Sequence, residues 1–199
     1  MARPRSAGYD DQRAQILHAA AALFACRGYT AATMQDVAQA SGISKATLYH
    51  YFSDKHQLLS DITNDHVQRL EVLVAEVQRQ QLAPVEHLRE LILRFMQAYA
   101  GAEHAHRVLT EDVKFLSAGG RSAVEQRQRR VVQAYALAVA AVRPDLQPLL
   151  HKPLAMLLFG MINWTFTWLR PDGELTHERL APVVVDLFVG GLEALAVRA

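Results

Sequence analysis

The chain is 199 residues long, 51% hydrophobic and 21% charged, with a formal net charge of +1. Such values describe a globular protein of one or two domains with ample material for a core, and they exclude a disordered chain or one that grips polyanions through bulk charge. A single cysteine excludes an intrachain disulfide framework, and the lack of a membrane-length apolar run or signal-peptide core predicts a cytoplasmic protein.

In chain order, the first helix carries that cysteine, Cys26, among apolar positions, where it reads as a small core residue. The stretch Thr33 to Lys55, TMQDVAQASGISKATLYHYFSDK, then reads as two short helices joined by a tight turn. Val37 and Ala38 mark the first. Ser41-Gly42 interrupts the pattern, and Ala46, Leu48, Tyr49 and Phe52 resume it at helical spacing. Gly42 stands where a chain leaving a helix needs positive φ, Thr33 and Ser44 are N-cap residues, and Ser53-Asp54 opens a longer helix. The turn has the length of a helix-turn-helix, which places a short helix in the DNA major groove.

Within the second of these helices Ala46 and Leu48 are expected to pack inward, leaving Lys45, Thr47, Tyr49 and His50 to reach phosphates or base edges. Thr33 and Lys55, at two helix N-termini, are placed to meet phosphate with side chain and free N–H together. The charge of this head is small. From Met1 to His56, six Lys and Arg stand against four acids, a net of +2, so affinity requires two copies or neutral donors on phosphate.

The remaining chain divides into helices. A long one runs from Asp54 to about Gln80, and Pro84 opens the next, whose face carries Leu88, Leu91, Ile92, Phe95, Met96 and Tyr99 and which Gly101 closes. A shorter helix spans about His104 to Leu116, Gly119-Gly120 is a break, and another helix follows from Arg121 to Val142. Pro144 and Pro148 precede an apolar helix from Leu149 to Leu169, Pro171-Asp172-Gly173 is a turn, and a last helix covers Thr176 to Val197. The sum is an all-α chain of about nine helices with no strand pattern. The last two helices carry apolar residues on so much of their circumference that they are buried in the core or against a partner. Asn163, Trp164 and Trp168 carry polar groups that a core accepts only with partners, and the two indoles are spaced for one helix face.

From Gln12 to Ile62 the chain resembles the N-terminal domain of TetR-type transcriptional repressors. The resemblance rests on Ile16-Leu17, Ala20, Leu23-Phe24 and Gly28-Tyr29, then Thr33-Met34 and Val37-Ala38, the run from Gly42 through Phe52, and Lys55 with Leu58-Leu59. It implies a DNA-binding domain over 1–56, a C-terminal ligand-binding and dimerisation domain over 57–199, and a homodimer through the last two helices. Double-stranded operator DNA is the implied partner, released when a small-molecule effector binds. By position it implies DNA contacts from Ser44, Lys45, Thr47, Tyr49 and His50, with Thr33, Tyr51 and Lys55 on phosphate. The segment Leu158 to Gly173, LFGMINWTFTWLRPDG, resembles members that sense acyl-CoA thioesters. The candidate ligand residues are Phe95, Tyr99, Phe115, Arg121, Tyr135, Asn163, Trp164 and Trp168, with Arg127, Arg129, Arg130 and Arg170 as further candidates for CoA phosphates.

Two other readings stand beside this one: a sensor of lipophilic or aromatic drugs that controls efflux, and a helical interaction module without DNA. Catalysis, a cofactor and a metal site are not expected, since there is no HExxH, no Gly-rich phosphate loop and no nucleophile in a recognisable setting. His104 and His106, two apart on a helix, face different ways.

Overall fold

The structure is a computed structural model that describes residues 7–170 and 173–196, and among these every regular element is helical. The α-helices are α1 (Ala7–Arg27), α2 (Met34–Ala40), α3 (Lys45–Tyr51), α4 (Lys55–Arg79), α5 (Pro84–Ala100), α6 (Glu103–Glu111), α7 (Ala118–Val142), α8 (Pro148–Asn163) and α9 (His177–Ala194), with short 3-10 turns over Val113–Phe115 and Trp164–Thr167. No described helix is long and apolar enough to cross a membrane. The chain forms two compact units, one comprising residues up to His66 together with His104–Val124, the other Val67–Glu103 and the chain from Glu125 onward.

The first unit closes on a core fed by α1, where Ile16, Ala20 and Phe24 recur every four residues and bury one stripe against Val37, Leu48 and Phe52. Cys26 falls off that stripe. It is exposed, correcting its reading as a core residue: the buried positions of the last turns are Ala21, Phe24 and Ala25, and the next residue turns outward beside Arg27. Arg13 ties α1 to α4 through Asp61 at 2.7 Å and Asp65 at 3.4 Å, its guanidinium lying 5.4 Å from the centre of the Phe52 ring. Helix α6 joins α4 through the buried His66 and His106 rings, whose facing nitrogens are 3.3 Å apart.

In the second unit α4, α5, α7, α8 and α9 share one core, centred on Leu91, Phe95, Tyr135, Leu158, Val185 and Phe188. Pro84 occupies the first turn of α5 and Gly101 caps its end, as their chemistry requires. Arg143 closes α9 by donating to the Leu192 and Leu195 carbonyls while Asp145 holds its guanidinium from the other side.

The structure differs from the sequence expectation at several boundaries. Gly119-Gly120 does not break the chain: both lie in the first turn of α7, where the Gly120 N–H donates to Ser117 Oγ at 3.1 Å, and glycine costs least where amides lack helical partners anyway. The helix from His104 ends at Glu111 and tightens into a 3-10 turn. The helix expected through Leu169 ends at Asn163, and Thr165 and Thr167 donate to the Ile162 and Trp164 carbonyls as the chain tightens. The last helix ends at Ala194. Pro171 and Asp172 of the expected turn, and Val197, lie outside the described residues.

Candidate nucleic-acid interface and effector region

The geometry of the head starts at the caps. Thr33 accepts the Asp36 N–H at 3.2 Å while the Asp36 carboxylate accepts the Thr33 N–H at 2.9 Å, a reciprocal box that opens α2. The Thr33 hydroxyl also donates to the Asp36 carboxylate at 2.6 Å, and that bond first, then the one from the Thr33 N–H, holds the Asp36 carboxyl below its usual range. Helix α2 ends at Ala40 with Ser41 as its C-cap, and Gly42 takes φ +66°, a left-handed conformation that Cβ would strain. Ile43 N–H then donates to the Ala38 carbonyl at 3.0 Å, and Ser44 opens α3 by accepting the Thr47 N–H at 3.0 Å. The turn is thereby fixed from both sides.

On α3, Leu48 is wholly buried and Phe52 follows it into the core at the C-cap, so the opposite face turns out. Lys45, Thr47, Tyr49 and His50 are all exposed there, as is Ser44. Ala46 is exposed too, against the expectation that it packs inward, because α3 is only two turns long and Leu48 alone supplies its buried contact. The Lys45 ammonium lies 6.0 Å from the Tyr49 ring one turn on. Tyr51, half-buried, stacks on Tyr9 of α1 with ring centres 4.6 Å apart, and His50 meets both tyrosines edge-on.

Lys55 turns toward the loop between α1 and α2. Its ammonium donates to the carbonyls of Tyr29 at 2.8 Å, Thr30 at 3.3 Å and Ala32 at 2.8 Å and sits 4.4 Å from the Tyr29 ring centre. Tyr29, quoted for the resemblance but given no role there, is a junction. Its phenol lies 3.1 Å from His56 Nδ1 and its ring stacks on Phe115 and meets Phe24 edge-on.

The candidate ligand residues divide between the two units. Phe115 and Arg121 belong to the first. In the second, Phe95, Tyr99 and Tyr135 are buried, with Phe159 completing an aromatic cluster whose ring centres lie 5.0 Å (Phe95 to Tyr135) and 4.8 Å (Tyr135 to Phe159) apart. Phe159 was not among the sequence candidates, although it stands one turn before Asn163 on α8. Two polar groups enter this cluster: Tyr99 donates to Asn163 Oδ1 at 2.8 Å and Tyr135 to the Leu91 carbonyl at 3.0 Å. Burial raises both phenols above their ordinary range. Trp164 and Trp168 stand outside it, 63% and 51% exposed, since the 3-10 turn removes the four-residue face they were expected to share.

Among the arginines, Arg127 and Arg130 both reach Glu71 at 2.6 Å beside an open groove of about 230 Å³ between α4 and α7, and Arg129 pairs with Glu125. Glu103 faces the buried His177 at 3.6 Å, while His177 Nε2 lies 3.4 Å from the Thr165 hydroxyl.

Residues 16–62 match the family model described as bacterial regulatory proteins, tetR family, and residues 81–192 match the tetracyclin repressor-like C-terminal domain. A TetR-family transcriptional regulator from Bordetella parapertussis superposes with a TM-score of 0.84 at 33% identity, covering 94% of this chain and 98% of that one. The HTH-type transcriptional repressor KstR2 of Mycobacterium tuberculosis is 26% identical over 190 residues, 92% of this chain and 94% of its own. AibR, solved in complex with isovaleryl coenzyme A and operator DNA, is 29% identical with a TM-score of 0.76, covering 88% of this chain and 97% of that one. The family models and this whole-chain likeness place the protein in the TetR family of bacterial regulators.

Proposed function

We propose that this regulator binds a palindromic operator as a homodimer and represses transcription until a small hydrophobic effector, of the acyl-CoA thioester class, releases it. The observation that carries the DNA half is the face of α3: Leu48 anchors the helix inward while Lys45, Thr47, Tyr49 and His50 are exposed together. Ser44, Thr33 and Tyr51 flank that face and hold it on phosphate. Residues 1–56 carry the reading function in this account, and 57–199 the effector and dimer functions.

Dimerisation runs through α8 and α9. Both bury one side in the core of their unit, yet Met156 and Leu157 of α8 and Val183 and Leu187 of α9 remain exposed. Such apolar surface on adjacent helices is what a partner covers. Two heads of small charge then act together on half-sites one helical turn of DNA apart.

The effector class is supported by AibR, whose structure holds isovaleryl coenzyme A. The reading puts the acyl chain beside the Phe95, Tyr135 and Phe159 cluster, with the Tyr99–Asn163 pair as the polar groups nearest to it. Helix α4 carries residues of both compact units, so a ligand that shifts its C-terminal part alters the separation of the two heads. A DNA-binding regulator acts in the cytoplasm, on the nucleoid.

Fluorescence anisotropy on the DNA upstream of the protein's own gene, titrated with acyl-CoAs of graded chain length, tests the whole proposal. Binding at low salt reversed by at least one thioester is expected. Binding reversed only by lipophilic drugs would move the effector to the efflux class, and no binding would refute the regulatory reading.

A further inference from the structure

We infer that Tyr9 is a positioning residue for DNA recognition, its ring holding His50 and Tyr51 in the arrangement that meets the operator; the inference rests on the DNA-binding reading above. Tyr9 stands in the first turn of α1, outside the helix-turn-helix, and is half-buried. Its ring stacks on Tyr51 with centres 4.6 Å apart and planes inclined by 25°, and it meets the His50 ring edge-on at 6.5 Å. His50 in turn meets Tyr51 edge-on at 5.8 Å, so each of the three rings is paired with the other two.

The shortness of α3 gives this set its importance. The helix has seven residues and buries Leu48, and a helix of that length takes its shape from packing rather than from its own hydrogen bonds. His50 and Tyr51 belong to its last turn, beyond that anchor, and His50 is exposed. An exposed side chain samples several rotamers, and fixing it on DNA costs entropy that a ring already held has lost beforehand. Helix α1 is a fixed platform for such holding. Tyr9 and Arg13 are spaced for one face of α1. Arg13 is held by Asp61 at 2.7 Å and lies 5.4 Å from the ring centre of Phe52, the C-cap of α3. One face of α1 thereby covers the end of the reading helix, with Arg13 at Phe52 and Tyr9 at Tyr51 and His50.

The test compares wild type with Tyr9→Phe, which keeps the ring, and Tyr9→Leu, which keeps an apolar side chain without one. Protein shown to be folded by circular dichroism is titrated by anisotropy against a duplex that the wild type selects from random DNA, and against random DNA itself. Ring pairs of this geometry are worth about two- to tenfold each in an equilibrium constant, and a dimer has two heads. Tyr9→Leu should therefore bind the selected duplex roughly tenfold more weakly and random DNA no more than about threefold more weakly, while Tyr9→Phe stays within about twofold of wild type on both. In a His50→Ala background, where one ring of the set is already gone, Tyr9→Leu should cost only about threefold on the selected duplex. Equal losses on both DNAs, or the full tenfold loss in the His50→Ala background, would make Tyr9 a structural residue only and overturn the inference. A Tyr9→Phe variant as weak as Tyr9→Leu would overturn it too, by assigning the effect to the hydroxyl.

The ring-proton NMR shifts of His50 and Tyr51 read the stack separately, without DNA. Tyr9→Leu should move both sets and Tyr9→Phe should leave them close to wild type; shifts unmoved in Tyr9→Leu would overturn the inference even if wild type selects DNA. A wild type that selects no DNA removes the DNA-binding reading and this inference with it, whereas a selecting wild type with unmoved shifts removes this inference alone. If Tyr9→Leu does not fold, Tyr9→Met, also apolar and without a ring, carries the same measurements.

Discussion

Substituting Leu187 tests the dimer most sharply, because its cost can be worked from exposure. Leu187 on α9 is 65% exposed, as is Leu157 on α8. Burying a leucine fully is worth about 2 kcal/mol, so covering the exposed fraction contributes about 1.3 kcal/mol per copy and about 2.6 kcal/mol across a symmetric interface. At about 1.4 kcal/mol per decade, Leu187→Ala should raise the dimer dissociation constant roughly 70-fold. Leu187→Arg should go further, since two guanidinium groups would lose water without a partner. Sedimentation velocity over a nanomolar to micromolar range reads the shift, with Val72→Asp on α4 as a surface control expected to leave it unchanged. A folded Leu187→Arg protein that self-associates like wild type would refute the assignment of this face.

Other substitutions probe the head and the core. Gly42→Val forces a β-branched residue into the left-handed region and should cost at least about 1–2 kcal/mol, visible as a lower melting temperature of the head and weaker operator binding; an unchanged melt would contradict the turn's role. Tyr49→Ala, on the outward face of α3, should narrow the gap between operator and random DNA, whereas an equal loss on both would assign it to phosphate. Burial holds the His177 imidazole below its ordinary value, Glu103 pulling the other way, and burial does the same to His87. The unfolded chain therefore takes up these protons more readily, and their contribution to stability, complete above pH about 6.5, falls as pH drops through that value. Melts of His177→Gln between pH 5 and 7 should be flatter than wild type, and parallel curves would remove His177 from the account.

What was legible in the sequence was local. Thr33, Ser44, Pro84, Gly101 and Gly42 were found because capping and turn chemistry act within about four residues, and the structure uses each as a cap or turn residue. Gly119-Gly120 misled because glycine pairs punctuate loops far more often than they open helices, and Ser117, the cap that would have corrected the reading, lies just upstream. Trp164 and Trp168 misled for a related reason. Periods of 3.6 and 3.0 residues barely separate over one turn, so an α-helical face was assigned where the chain had already tightened.

The candidate site shows where such reading stops. Side-chain type at positions 45 to 50 predicts an outward polar face, because a short helix with one buried leucine leaves little else. The contacts of Lys55 within the head are not legible there: its partners are backbone carbonyls 23 to 26 positions earlier, and carbonyls carry no sequence signature. Tyr29 is similar, for nothing in its own neighbourhood announces that Phe115 will stack on it from the end of the α6 segment. That stack matters to the mechanism. The loop that Lys55 contacts is also held by an aromatic ring from the 3-10 turn after α6, so under the proposed mechanism a displacement of that turn should loosen Tyr29 and, through Thr33, the start of α2. Phe115→Ala should therefore weaken operator binding even in the absence of effector, and wild-type affinity in the folded variant would confine coupling to α4.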